Sequence, residues 1–459
     1  MASSLSTSLV TFKVKRQDPE LISPAKPTPH EFKYLSDIDD QDGLRFQIPV
    51  IQFYPKNDVC LASAKDPVDI IRKAIANTLV FYYPFAGRLV EAPGRKLVVE
   101  CNGKGVMFIE ADADVRLDEF GDALRPPFPC LEELIFDVPG SGGVLNCPLL
   151  LIQVTRLQCG GFIFAIRLNH TMSDAQGLVQ FMTALGEIAR GAVSPSIIPV
   201  WQRHILNARD PPLPTFSHHE YDVVPDTKNT VVPLDDMVQR SFFFGPQEVA
   251  ALRKHMPSQC TTFEMLTACL WRCRTIAISP DPEEEVQMIC ITSVRGKSNP
   301  PIPEGFYGNA FALPVAVSTA EKLCNNPLGY ALELVKKARR QVTDEYMRSL
   351  ADFMVTNGRP HFAVVRAYIV SDVRHAGFGD VDFGSGKPVY GGPVGGTPWI
   401  ASFYIPFKNS KGEDGVLVPV CLGGPAMKKF VVEIEKLISN KPSADSETPM
   451  SHNSIKSAL

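Results

Sequence analysis

The chain has 459 residues, 45% of them hydrophobic and 21% charged, the make-up of a globular protein long enough for two domains. Its 46 basic and 50 acidic side chains leave a formal net charge of −4, so no basic field points to nucleic acid or an anionic membrane as partner. The cysteines number 11, an odd count scattered among apolar residues such as Leu270 and Trp271, which excludes a disulfide scaffold and reads as reduced core thiols.

The opening MASSLSTSLVTFKVKRQ lacks the apolar run and cleavage site of a secretory signal. No window is apolar enough to span a bilayer, and Ser457-Ala458-Leu459 lacks the basic middle residue of a peroxisomal tripeptide. The expectation is a cytoplasmic chain. Leu9–Val14 alternates like a strand, and Pro19–Pro29 is proline-rich and extended. Asp37, Asp39, Asp40 and Asp42 form an acidic loop without the glycine offset of a calcium site, and the spacing predicts a solvated turn. Arg45–Phe53 reads as a strand. Asp66-Pro67 is a cap followed by a first-turn proline, and Ile70, Ile71, Ala74, Ile75 and Leu79 line one helix face. Pro84 and Gly87 then turn the chain toward strands at Lys96–Cys101 and Gly105–Glu110.

Leu149–Leu157 and Phe162–Leu168 form a predicted hairpin across Gly160-Gly161. His170 follows at the strand's end. Leu178, Phe181, Met182, Leu185 and Ile188 repeat at helical spacing, with Ser173 and Gln176 as a capping box and Gly191 as a stop. His170 therefore sits in a short strand-to-helix loop, where a titratable side chain is held firmly yet remains open to a ligand. From Ser194 to Pro233 prolines are dense and periodicity is lost, as in an interdomain crossover; His218 and His219 lie there without zinc-like partners, as in a surface loop.

The second half repeats this texture. Arg240–Phe244, Val286–Val294, Phe362–Val370, Ala401–Phe407 and Val416–Leu422 read as strands; Gln247–Lys254, Thr262–Ile276, a helix capped by Asn326 and opened by Pro327, and Met427–Ile438 read as helices. The expected divisions are an N-terminal domain over 1–193, a crossover over 194–239, a C-terminal domain over 240–440 and a disordered tail over 441–459. Gly377–Gly396 is glycine-rich and contains Asp382-Phe383-Gly384-Ser385-Gly386-Lys387-Pro388. It lacks the third glycine of a dinucleotide fingerprint and the Lys-Ser/Thr of a phosphate loop, and no G-x-S-x-G occurs in the chain.

His170-Thr171-Met172-Ser173-Asp174 resembles the HxxxD signature of the BAHD acyltransferases. Asp382–Gly386 resembles their DFGWG signature at the same order and distance, and Tyr83–Arg88 and Thr262–Ala268 resemble further family segments. The passages ELISPAKPTP, LSDIDDQ and YYPFAGRL are most similar to plant alcohol acyltransferases of the benzyl alcohol benzoyltransferase and methanol anthraniloyltransferase kinds. Two departures stand out: Ala175 replaces the glycine after Asp174, and Ser385 replaces the tryptophan of the second motif.

The resemblance implies an α/β fold of two similar chloramphenicol-acetyltransferase-like domains, each a mixed sheet with flanking helices, with the active site at their interface. It implies transfer of a benzoyl, other aromatic or short acyl group from coenzyme A to a small alcohol such as benzyl alcohol. Acyl-CoA is then a co-substrate, with no permanent cofactor and no metal, and the protein a monomer. An amine acceptor, or acyl-CoA binding without turnover, are the alternatives. His170 fits the general base of direct attack, since imidazole with pKa about 6.5 is mostly neutral in cytosol. Asp174 either partners His170 or, as the resemblance implies, pairs with an arginine and shapes the loop. Asp382 is a second catalytic candidate, although its motif reads as a turn. Thr262, Arg295 and Lys297 are candidates for coenzyme A, the two cations for its phosphates; ordinary surface charge is an equally good account of Arg295 and Lys297.

Overall fold

The alternating segment at the centre of the sequence forms a strand, Phe162–Asn169, in the computed structural model, which describes residues 10–56, 66–222, 236–257, 259–397 and 400–439. Its residues are apolar on both faces because helices or chain cover both sides of the sheet. It pairs antiparallel with Leu150–Leu157 on one flank and with Gln47–Tyr54 on the other. Gly160 takes φ +84° in the hairpin turn, a conformation that costs glycine little.

Among the described residues the strands form two main sheets. The first runs in the order Val14–Arg16, Val106–Ala113, Leu150–Leu157, Phe162–Asn169, Gln47–Tyr54 and Tyr390–Pro393, with Glu20–Ile22 also on the second strand. It is mixed: Val106–Ala113 and Leu150–Leu157 run parallel. The second sheet orders Met237–Phe244, Asp414–Gly423, Ala401–Lys408, Ala367–Asp372, Glu285–Cys290 and Val315–Thr319, with parallel pairing around Ala367–Asp372. Helices Pro67–Phe81 and Ala175–Ala189 pack together in the first half, and Thr262–Ile278 packs against Leu328–Arg340 and Gly424–Ile438 in the second.

Asp66 caps its helix as its sequence suggests, accepting from Val68 N at 3.0 Å. Other local readings shift. The helix after His170 is capped by Asp174, which accepts from Gly177 N at 3.0 Å, instead of by Ser173. The first strand of the second half starts at Met237, not Arg240. The strand predicted from Phe362 begins at Ala367, after Arg366 at φ +54°. Pro327, not Asn326, occupies the cap before Leu328. A helix at Asp344–Thr356, capped by Thr343, has no counterpart in the sequence reading. The opening strand starts at Val14; Leu9, residues 223–235 of the crossover and the tail 441–459 lie outside the described residues.

The two halves are not independent bodies. Tyr390–Pro393, from the glycine-rich stretch of the second half, pairs antiparallel with Gln47–Tyr54 and extends the first sheet, so part of residues 240–440 lies in the sheet built mainly by 1–193. A shared apolar cluster joins Ile38 and Leu44 of the first half to Phe311, Leu313, Met347 and Leu350 of the second. The crossover is fastened to Asp344–Thr356: Arg209 N and Nε donate to Asp352 at 2.7 Å each, and Thr215 N and Phe216 N donate to Ser349 Oγ. His219 is exposed, but His218 is buried between Glu220 and Ser349, where a surface loop had been expected. No helix among the described residues is long and apolar enough to cross a membrane.

Candidate active site

His170 stands one residue past Phe162–Asn169, its backbone N–H donating to Phe46 O at 2.8 Å. Its ring lies between those of Phe46, 5.3 Å away, and Phe311, 6.1 Å away. Phe46 comes from the first half and Phe311 from the short strand Phe311–Ala312 of the second, so the imidazole sits where the halves meet. The residue is only partly buried, yet its Nδ1 is wholly enclosed and without a hydrogen bond. The edge carrying Nε2 is therefore the one a ligand reaches. Burial lowers the pKa of His170 below that of a free imidazole, against the opposing pull of the Asn309 carboxamide and the Asp174 and Asp39 carboxylates. The shift favours the neutral imidazole, the form a base needs.

Asp174 does not turn to His170. Besides capping its helix, it accepts from Arg295 Nη1 at 2.5 Å and from Ala310 N at 3.1 Å through Oδ2. Arg295 continues to Gly308 O at 2.7 Å. This identifies the arginine partner and removes Arg295 from the coenzyme A candidates: its guanidinium is spent inside the fold. Gly177, in the first turn of that helix, has no room for a side chain, because a Cβ would stand 2.3 Å from Tyr307 O.

Asp382 is not at this site. Its Oδ1 accepts from Gly384 N at 2.7 Å and Gly386 N at 2.9 Å, and its carbonyl accepts from Arg190 Nη1. That carbonyl abuts Gly186 near the far end of the helix that Asp174 opens. Ala175 to Gly186 spans about 17 Å at 1.5 Å per residue, so Asp382 stands far from His170. The catalytic candidacy of Asp382 is corrected accordingly: the motif is a brace. Tyr54 OH donates to Val381 O at 3.0 Å, and Phe383 packs 4.8 Å from Phe164. Ser385 is partly buried between Gly384 at φ +103° and Gly386 at φ +85°; the turn depends on those glycines.

Of the remaining candidates, Thr262 begins the helix Thr262–Ile278 and accepts from Arg253 Nη2 at 3.4 Å. Burial and the neighbouring Arg339 lower the pKa of Lys297. Arg339 itself lies 3.4 Å from Glu264 and 4.5 Å over the Phe263 ring. Two cations that repel each other in a partly dry setting suit an anionic ligand.

The acidic loop is a buried clamp, which composition alone does not reveal. Asp39 is fully buried and accepts from Ser36 Oγ at 2.7 Å, Arg203 Nη1 at 2.7 Å, Asn309 N at 2.9 Å and Asn309 Nδ2 at 2.8 Å. Asp40, also buried, faces Arg359 at 2.8 Å and Arg45 at 3.2 Å, and its burial raises its carboxyl pKa. Asp37 takes Lys96 at 2.6 Å and Ala208 N at 2.9 Å. The three aspartates thus hold segments drawn from both halves of the chain. Arg203, Asn309, Phe46 and Phe311 had gone unmarked; the only local sign was Leu35 and Ile38, both buried, flanking the carboxylates.

The Transferase family model matches residues 12–437. The chain is 67% identical over 454 residues to a benzyl alcohol O-benzoyltransferase of Petunia hybrida, covering 97% of this chain and 98% of the relative. It is 67% identical over 445 residues to one of Nicotiana tabacum, covering 95% and 96%. It is 55% identical over 446 residues to alcohol acyl transferase 1 (allele GSa) of Malus domestica, covering 95% and 96%. Among solved structures, vinorine synthase superposes with TM-score 0.71 at 22% identity, covering 93% of this chain and 98% of that one. F. sporotrichioides TRI101 complexed with coenzyme A and T-2 superposes with TM-score 0.67 at 17% identity, covering 88% and 97%. These two bear on the fold.

Proposed function

This chain belongs to the Transferase family of BAHD acyltransferases, and on that premise we propose that it transfers a benzoyl group from coenzyme A to benzyl alcohol, with His170 as general base. The protein is an acyl-CoA:alcohol O-acyltransferase. The observation that carries the assignment of the base is the placing of the His170 ring: packed between Phe46 and Phe311, its Nδ1 enclosed and its Nε2 edge open.

In this reading the alcohol O–H lies against Nε2 while the thioester approaches through the seam between the halves. Nε2 takes the hydroxyl proton as the oxygen attacks the thioester carbon. The tetrahedral oxyanion collapses by breaking the C–S bond, and the imidazolium returns its proton to the departing sulfur. Ester and free coenzyme A leave. No side chain is acylated, so both substrates occupy the site together. Apolar walls suit a neutral aromatic alcohol, whereas a carboxylated acceptor such as quinate needs a paired cation to be buried. Lys297 and Arg339 are the cations proposed for coenzyme A phosphates, with Thr262 beside them. The reduced cysteines, six of them buried among the described residues, suit a reducing compartment, and we place the enzyme in the cytoplasm as a monomer.

A panel of acyl-CoAs with alcohols, amines and hydroxy acids tests the assignment by thiol release with product detection. Benzyl benzoate from benzoyl-CoA is the expected product. Turnover confined to amines, or efficient turnover of quinate, would replace the reading.

A further inference from the structure

We propose that Phe46 sets the preference for an aromatic alcohol: its open ring face, beside the Nε2 edge of His170, stacks the aryl ring of the acceptor. The inference rests on the reading of His170 as the base in transfer to benzyl alcohol. It assigns a specificity role to a side chain outside both motifs.

Phe46 precedes the strand Gln47–Tyr54, and the pairing of Gln47 with Asn169 continues one step, with His170 N donating to Phe46 O at 2.8 Å. The two side chains are thus cross-strand neighbours, their ring centroids 5.3 Å apart and their planes at 48°. Gln47 turns to the opposite face, where its Nε2 donates to Ser141 O at 2.7 Å, so the Ser141 turn lies away from the Phe46 ring. Arg45, next in the chain, meets Asp40 at 3.2 Å and Glu91 at 2.6 Å, so its charge is already paired. Two rings flank the imidazole, and their burial differs. Phe311 is 5% exposed and serves as a wall, whereas Phe46 is 44% exposed. Most exposed apolar side chains need no explanation, but this one stands against the group that takes the proton.

The chemistry decides which substrate meets this ring. An alcohol bonded to Nε2 has its oxygen about 2.8 Å from the nitrogen, and the acyl carbon lies beyond that oxygen. The acceptor is therefore the substrate nearer the imidazole and its flanking rings. In benzyl alcohol a single carbon joins hydroxyl to aryl ring, so that ring can reach Phe46 at the roughly 4.5–7 Å between centroids where aromatic pairs form. Such a pair contributes about 2- to 12-fold beyond the area it buries. A saturated ring of similar outline gains the area alone.

The test compares benzyl alcohol with cyclohexylmethanol, its saturated counterpart, using full-length wild type, Phe46→Leu and Phe46→Tyr. Benzoyl-CoA is the donor, with hexanoyl-CoA as a second. The wild type should favour benzyl alcohol in kcat/KM. That ratio should fall about 2- to 12-fold in Phe46→Leu, which keeps apolar bulk and loses the ring, and hold within about twofold in Phe46→Tyr. Equal turnover of the two alcohols by the wild type overturns the proposal, and needs no variant. So does an unchanged ratio in Phe46→Leu; a common fall in both rates would make Phe46 a support of the His170 ring. A loss confined to discrimination between the two donors would place Phe46 against the acyl group and overturns the proposal too. Should Phe46→Leu not fold, Phe46→Met carries the same expectation. Failure of the underlying reading shows separately, as unchanged turnover by His170→Ala or no ester from any alcohol in the panel.

Discussion

Asp174 Oδ2 lies 2.5 Å from Nη1 of Arg295, and this contact, not one with His170, is what the carboxylate of the HxxxD-like motif makes. It ties the loop bearing the histidine to the second half of the chain. Asp174→Asn strands a mostly buried guanidinium and is expected to cost about 1–3 kcal/mol. Thermal melts of Asp174→Asn, Arg295→Met and the pair check this. The double variant should lose less than the sum of the two singles, and independence of the two sites would contradict the contact.

His170→Ala removes the base while leaving the fold's clamps in place. Acyl transfer should fall about 10²–10⁴-fold, with acyl-CoA affinity nearly intact. Turnover and acyl-CoA titration on the same preparation separate the two quantities.

Burial lowers the His170 pKa, so the neutral base persists below the ordinary histidine value near 6.5. The acid limb of kcat/KM should lie below pH 6.5. Stability follows the same group. Below that value the unfolded chain binds the proton that the folded site resists, so folding weakens as pH falls through 6.5. His170→Gln should therefore melt less acid-sensitively than the wild type, and a curve parallel to it would contradict the sign.

Asp382→Ala unties the turn at Gly384 and Gly386 without touching the histidine. A loss of about 1–2 kcal/mol is expected from the two hydrogen bonds, with kcat per folded molecule within a few-fold of wild type. A collapse of kcat in a protein with unchanged melting would restore Asp382 as a catalytic residue.

Lys297→Gln tests the cationic site beside Arg339. KM for acyl-CoA should rise several-fold and its salt dependence weaken, while KM for the alcohol stays put. An effect on the alcohol alone would move Lys297 to the other substrate.

The strand Phe162–Asn169, its hairpin, the helix after Asp66 and the position of His170 were legible because each follows from a local period or a neighbouring cap. The His170 and Asp382 motifs, the family and the chemistry were likewise readable as short strings. What the string does not contain is who faces whom. Asp37, Asp39 and Asp40 look like a solvated loop until Lys96, Arg203 and Arg359 arrive from distant segments to neutralise them and Asn309 donates to Asp39. Arg295 looks like a phosphate ligand until Asp174, 121 residues away, claims it, and Asp382 looks catalytic until its carbonyl is found against Gly186, near the far end of the helix that Asp174 opens. Tyr390–Pro393 reads as part of the second half, yet hydrogen-bonds into the first sheet. Periodicity and capping are decided within a few residues, so the sequence carries them. A charge's role is decided by what desolvates and pairs it, and that partner is supplied only when the chain closes.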